Sequence, residues 1–308
     1  MLELILLNAF FAATYPLAQG ALQYSSATLL VAVRMIGAGT LFLLYALSRR
    51  QNIRFFTNKA ALRDMLTIAC VGLFLPFLLE CWALKFLSAL QANVVYLLNP
   101  LISAFLSYVF EAQKLTVYQW VGIGVSSSGA CLFVFLSSAT TNSLPFLEAS
   151  YALVALLISM TLGTYSWFIF KRLAKKYPPV VINGWTMLGA GALSVCFYFF
   201  ETSGRFVSLT PQNWISFGSY TFFLVIIGNI VIYSLYARLL KKWSITLITL
   251  AQLTCPFFGV CYDYLLFGRS PTLDMIGAFS VVCLGIIIFT KSTSLAKFIG
   301  IRKCAVGG

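Results

Sequence analysis

No histidine occurs anywhere in the 308 residues, which removes Ser–His nucleophilic dyads and the HExxH zinc site together. Charge is nearly as scarce: only 9% of residues are Asp, Glu, Lys or Arg, against about 25% in soluble domains. The eight cysteines are scattered without a single CxxC pair, so neither a disulfide framework nor a thiolate metal site is indicated. Asp263 sits in Tyr262-Asp263-Tyr264 with no Gly-x-Gly-Asp nearby, which argues against an intramembrane aspartyl protease. No repeated carbonyl motif or ring of charges suggests a channel filter. An enzyme is therefore not expected, and neither is a cofactor or a metal.

What remains is hydrophobic. Sixty per cent of the chain is apolar, Phe alone occurs 28 times, and these residues fall in long runs. About 20 apolar residues in a helix cross the ~30 Å of bilayer hydrocarbon. The runs predict an all-α integral membrane protein of ten transmembrane helices, at about 2–21, 28–48, 64–84, 89–110, 118–136, 150–170, 180–200, 215–236, 245–267 and 273–290. Glu3 stands where a signal peptide would be positive, so the first segment reads as a retained span. The net charge of +13 suggests a nucleic-acid partner only until its distribution is seen. With a cytoplasmic amino terminus, 17 of the 21 Lys and Arg fall inside, Lys85, Arg205 and Arg269 fall outside, and Arg34 lies within a span. That bias is a topology signal, placing both termini in the cytoplasm of a bacterial-type inner membrane and leaving no role for nucleic acid. It says nothing of the oligomeric state.

The halves of the chain resemble each other. Arg34-Met35-Ile36-Gly37-Ala38-Gly39 in helix 2 aligns with Thr186-Met187-Leu188-Gly189-Ala190-Gly191 in helix 7, an offset of 152. Thr14-Tyr15 aligns with Thr164-Tyr165 at 150; Ser88 and Pro100 align with Ser244 and Pro256 at 156, as Gly129 does with Gly285. Five spans per half is an odd number, so the second half enters the membrane inverted. The expected organisation is a first five-helix repeat over 1–148, a second, inverted repeat over 149–291, and a cytoplasmic tail over 292–308.

Polar residues inside the spans are the candidate site. Thr249, Gln252, Pro256, Gly259 and Asp263 share one face of helix 9, and their counterparts Asn93, Tyr96, Pro100, Ser103 and Ser107 share one face of helix 4. These proline-broken faces either line a central cavity or bond the helices together. Charge within hydrocarbon is costly, which singles out Arg34, Glu80 and Asp263, all in the outer part of the bilayer. Arg34 is expected to form a structural ion pair. Glu80 or Asp263 is the candidate receiver of a cationic group or a coupling proton. The substrate-binding set is completed by Tyr15 and Gln19 on helix 1, Asn99 on helix 4, Tyr165 and Trp167 on helix 6, and Asn229 and Tyr233 on helix 8. Aromatic faces among them suit a planar or cationic ligand, at about 0.5–2 kcal/mol per contact.

Arg34, the run Ala83-Leu84-Lys85-Phe86-Leu87-Ser88-Ala89, Asn99-Pro100, Glu111, and the glycines Gly122 and Gly129 together resemble the drug/metabolite transporter superfamily of EamA type. The sequence departs from that pattern at Gly268-Arg269, where Gly-Glu is common, and in lacking Trp-Gly in helix 1. It also resembles the S-adenosylmethionine transporters of obligate intracellular bacteria. The resemblance implies a secondary transporter moving a small metabolite by alternating access, with the bilayer and the substrate as its partners. S-adenosylmethionine uptake, with exchange for S-adenosylhomocysteine, is the implied activity. Export of amino acids or related metabolites is the alternative, and a non-transporting membrane scaffold the alternative of another class.

Overall fold

A backbone amide in hydrocarbon has no water to bond, so the apolar runs must satisfy their own hydrogen bonds as helices. The computed structural model describes residues 2–51, 58–87, 96, 98–112, 115–138, 146–202, 211–255, 257–259, 261–262 and 273–298. Among them are ten helical stretches and no strand. They are α1 (Leu2–Leu22), α2 (Ala27–Ser48), α3 (Lys59–Ala83), α4 (Asn99–Glu111), α5 (Val117–Ser138), α6 (Phe146–Leu173), α7 (Pro179–Glu201), α8 (Pro211–Leu239), α9 (Ile245–Ala251) and α10 (Leu273–Phe298). Six of the described stretches are long and apolar enough to cross a membrane: α1, α2, α3, Tyr151–Leu173 of α6, α7 and α8.

Local chemistry sets the helix starts. Ser26 accepts a bond from the Leu29 amide to cap α2, and Ser244 does the same for Leu247 at the head of α9. The rigid ring of Pro179 opens α7. Asn58 accepts bonds from the Ala60 and Ala61 amides, so α3 begins at Lys59, five residues before its apolar run. At the other end of the chain α10 continues to Phe298, and the expected tail begins as helix.

Two helices share an irregularity. Within α3, Ile68–Phe74 winds as a π-helix; within α8, Leu224–Val231 does so too. Wider π turns re-aim side chains and often occur at functional sites.

The bundle is built on close helix pairs. α2 packs against α7, and α5 against α10. The second pair meets backbone to backbone: a Cβ added to Gly122 would lie 2.8 Å from the Phe289 nitrogen, and one on Gly285 2.7 Å from the Gly122 carbonyl oxygen. α3 packs on α6, α1 on α8, and α4 on α9. Ile123, Leu250, Ala278, Val282 and Phe289 form a small core where α5, α9 and α10 meet. A larger core runs through the helices of the main bundle, including Leu7, Met35, Leu156, Met187 and Leu224. Outward faces carry large apolar side chains such as Leu44, Phe105 and Phe200, as a lipid-facing surface requires.

At the end of the bundle that carries the basic connections, Lys171 pairs with Glu111 at 2.7 Å, Arg172 with Asp64 at 2.8 Å, and Lys242 with Glu3 at 3.3 Å. The first two tie the carboxyl end of α6 to α4 and α3. Such exposed pairs contribute only ~0–1 kcal/mol each, so they register the helix ends rather than hold the fold.

Candidate functional site

Between α1, α3, α6 and α8 lies a central cavity of about 120 Å³ open to the centres of water molecules. Among the described residues its walls hold one carboxylate, Glu80, and one guanidinium, Arg34, together with aromatic rings. A glycine from each π stretch lines it. Gly72 lies in the first and faces Ser166 of α6, where a Cβ would overlap the serine side chain. Gly228 lies in the second, and a Cβ there would fall 3.2 Å from Thr14 Cγ2 and 2.8 Å from Arg34 Nη2.

Glu80 is half-buried and accepts a 2.6 Å bond from the Tyr96 hydroxyl. The Tyr96 ring meets Tyr15 edge-on, with centroids 5.6 Å apart. The carboxylate is thus held by a tyrosine that itself packs on α1. On the opposite side Trp167 stacks on Tyr236 at 3.9 Å, with planes 18° apart, and Tyr233 lies 5.1 Å from the same indole. The floor is polar: Thr164 donates to Asn99 Oδ1 at 2.6 Å, and Asn99 Nδ2 donates to Gln252 Oε1 at 3.1 Å.

Arg34 differs from expectation. Among the described residues no carboxylate lies within 4.0 Å of it. Its Nε donates to Asn229 Oδ1 at 2.5 Å, and its guanidinium sits 4.5 Å above the Phe77 ring. The nearby acid, Glu80, is engaged by Tyr96 instead.

Of the sequence-derived candidates, Tyr15, Glu80, Tyr96, Asn99, Trp167, Tyr233 and Gln252 line this cavity, and Asn229 stands behind Arg34. Ser103 does not line it. The polar faces of α4 and α9 meet directly below the cavity, with Ser103 Oγ 2.6 Å from Thr249 Oγ1 and Ser107 Oγ 3.0 Å from Thr246 Oγ1. Short hydroxyls let the two helices approach until they bond each other, which closes the space. Gln19 bonds the Leu87 carbonyl at 3.2 Å, and Tyr165 packs on Phe110 with centroids 5.3 Å apart. Asn93 and Asp263 lie outside the described residues.

The sequence reading missed Phe11, Phe77 and Met160 as lining residues, which look like ordinary apolar positions. It also passed over Gly72 and Gly228, although they stand 156 apart, the offset already evident at Pro100 and Pro256. Among the described residues no three Cys, Asp or Glu side chains converge as metal ligands. The arrangement can hold an organic cation beside an acid and offers aromatic faces to a planar ring.

Comparison with known proteins agrees with that chemistry. A S-adenosylmethionine/S-adenosylhomocysteine transporter of Chlamydia muridarum is 25% identical over 286 residues, spanning 92% of this chain and 89% of that protein. Its namesake in Chlamydia trachomatis serovar L2 is 27% identical over 289 residues, spanning 92% and 86%. A crystal structure only 17% identical in sequence shares the fold, with a TM-score of 0.72 over 94% of this chain and 95% of that one. The EamA-like transporter family matches residues 1–135 and 149–291, so the chain belongs to that family and is a multi-pass membrane transporter.

Proposed function

We propose that this transporter takes up S-adenosylmethionine across a bacterial-type inner membrane by alternating access, in exchange for S-adenosylhomocysteine. The observation that carries the proposal is that Glu80 and the stacked Trp167 and Tyr236 line one and the same cavity. S-adenosylmethionine bears a sulfonium and an ammonium, which a carboxylate attracts, and an adenine that a flat aromatic surface accepts. The Chlamydia relatives carry that substrate pair in their names.

The architecture behind this reading is two inverted five-helix repeats, over 1–148 and 149–291, with both termini cytoplasmic. Several observations support it. Three of the close pairs join helices that are five apart in order: α2 with α7, α4 with α9, α5 with α10. The contacts of α3 with α6 and of α8 with α1 are likewise interchanged by a shift of five. The π stretches begin at Ile68 and Leu224, 156 residues apart, and the family match falls in two stretches. The contact pairs also refine one alignment. Gly72 faces Ser166 as Gly228 faces Thr14, which equates Thr14 with Ser166 at an offset of 152 rather than with Thr164. At 3.6 residues per turn those two residues are about 200° of rotation. That rotation turns Tyr165 away from the cavity and makes Trp167 the counterpart of Tyr15.

Helix 4 runs inward in this topology, so the seam from Ser103 to Ser107 closes the cytoplasmic side beneath the cavity. Uptake of radiolabelled S-adenosylmethionine by cells expressing the protein tests the substrate. Uptake above empty vector that preloaded S-adenosylhomocysteine accelerates is expected; none, with the protein confirmed in the membrane, would sink the substrate assignment.

A further inference from the structure

A guanidinium carries five N–H donors, and in Arg34 the structure accounts for one of them. The residue is 3% exposed, and Nε is taken by Asn229 Oδ1. Neither Nη nitrogen has a hydrogen-bond partner among the described residues. Both belong to a side chain that lines the central cavity.

Arg34 is also held in a particular pose. The Phe77 ring supports its face at 4.5 Å, and fully buried Asn229 anchors Nε. Among the described residues the Asn229 amide nitrogen donates to the sulfurs of Met35 and Met187, at 3.6 and 3.9 Å, which leaves its oxygen turned to Arg34. Beside Nη2 the chain places Gly228, and any larger residue would bring a Cβ to 2.8 Å from that nitrogen. The fork is therefore fixed at its base and left clear at its tips. A buried cation with no carboxylate within 4.0 Å among the described residues is costly in hydrocarbon, and an intramembrane charge marks a candidate ligand site. A planar fork with free parallel donors matches a carboxylate in bidentate geometry.

We infer that Arg34 is the subsite for the substrate's carboxylate, with Asn229 as its positioning residue. The inference rests on the proposed substrate class, an amino acid carrying an additional cationic centre. It assigns opposite poles to the cavity: Arg34 takes the carboxylate, Glu80 the ammonium or sulfonium, and the Trp167 surface the ring. A substrate lacking the carboxylate would leave the guanidinium unpaired and bind poorly.

The test compares S-adenosylmethionine with its decarboxylated form, which keeps the sulfonium, the amine and the adenine. Thermal stabilisation of the purified full-length protein in detergent is titrated with each, giving two apparent affinities. The wild type is expected to prefer the carboxylated ligand by about tenfold or more, the weight of a charge-assisted pair. In Arg34→Gln, whose amide can still reach Asn229, the preference should fall below twofold. If that variant is not monodisperse, Arg34→Lys decides: a preference reduced at least threefold supports the subsite, and an unchanged one overturns it. Equal binding of both ligands by the wild type overturns the Arg34 subsite while leaving the substrate class standing. Binding of neither removes the substrate assignment and the subsite with it.

Discussion

Replacing Glu80 with Gln keeps the size of the side chain and its bond from Tyr96 while removing the charge. At ~4 Å a carboxylate attracts a unit cation by about 4 kcal/mol for an effective dielectric of 20. Glu80 is half-buried and already holds a 2.6 Å hydrogen bond, so part of that attraction is offset when the ligand strips its remaining water. A net loss of roughly 2 to 4 kcal/mol follows, or about 30- to 1000-fold weaker binding. The assay is displacement of radiolabelled S-adenosylmethionine from purified protein by unlabelled ligand. S-adenosylhomocysteine, which has the ammonium but no sulfonium charge, then identifies the partner. If Glu80 faces the sulfonium, Glu80→Gln weakens S-adenosylmethionine far more than S-adenosylhomocysteine; if it faces the ammonium, both weaken together. An affinity for both within twofold of wild type would refute the electrostatic argument. Tyr96→Phe should weaken binding by a few fold only, because it frees the carboxylate without discharging it.

Further outcomes follow from the packing. Trp167→Ala removes the face stacked on Tyr236 and should lower affinity for adenine-containing ligands at least fivefold, measured by the same displacement, while leaving methionine binding unchanged. Gly285→Val drives side-chain carbons into the Gly122 backbone, so the yield of monodisperse protein should collapse, with Ser126→Ala serving as a mild control at the same interface.

The hydrophobic runs and their Pro, Ser and Gly punctuation made the helices legible, because length and apolarity are what the bilayer demands. Their ends were less so. The first turns of α3 are polar and read as loop, yet Asn58 caps them, and α10 runs on past its apolar segment. Invisible to any 3.6-residue pattern were the π stretches in α3 and α8, which contain Gly72 and Gly228. In the site, Tyr15, Glu80, Tyr96 and Gln252 could be identified because polarity inside a span is rare. Ser103 satisfied the same criterion for the other reason, bonding Thr249 across a closed seam; a face pattern cannot distinguish lining from glue. Tyr165 was chosen as an aromatic able to stack on a ligand, but its ring packs on Phe110 instead, because aromaticity alone does not say which way a ring points. Arg34 was expected to meet an acid because a lone buried cation is costly, whereas here an amide and an aromatic ring hold it.

Arg34 and Glu80 have an electrical consequence. With both side chains ionised, the formal charges of these two cavity residues cancel, and the substrates alone set the charge moved per exchange. At neutral pH S-adenosylmethionine bears one net positive charge and S-adenosylhomocysteine none. Each one-for-one exchange would therefore move a single elementary charge inward, and the membrane voltage becomes a driving force. Every 100 mV, negative inside, contributes about 2.3 kcal/mol, enough to sustain roughly a fiftyfold accumulation ratio. In proteoliposomes loaded with S-adenosylhomocysteine, a potassium diffusion potential set by valinomycin should accelerate uptake when negative inside and slow it when reversed, and indifference to its sign would rule out this stoichiometry.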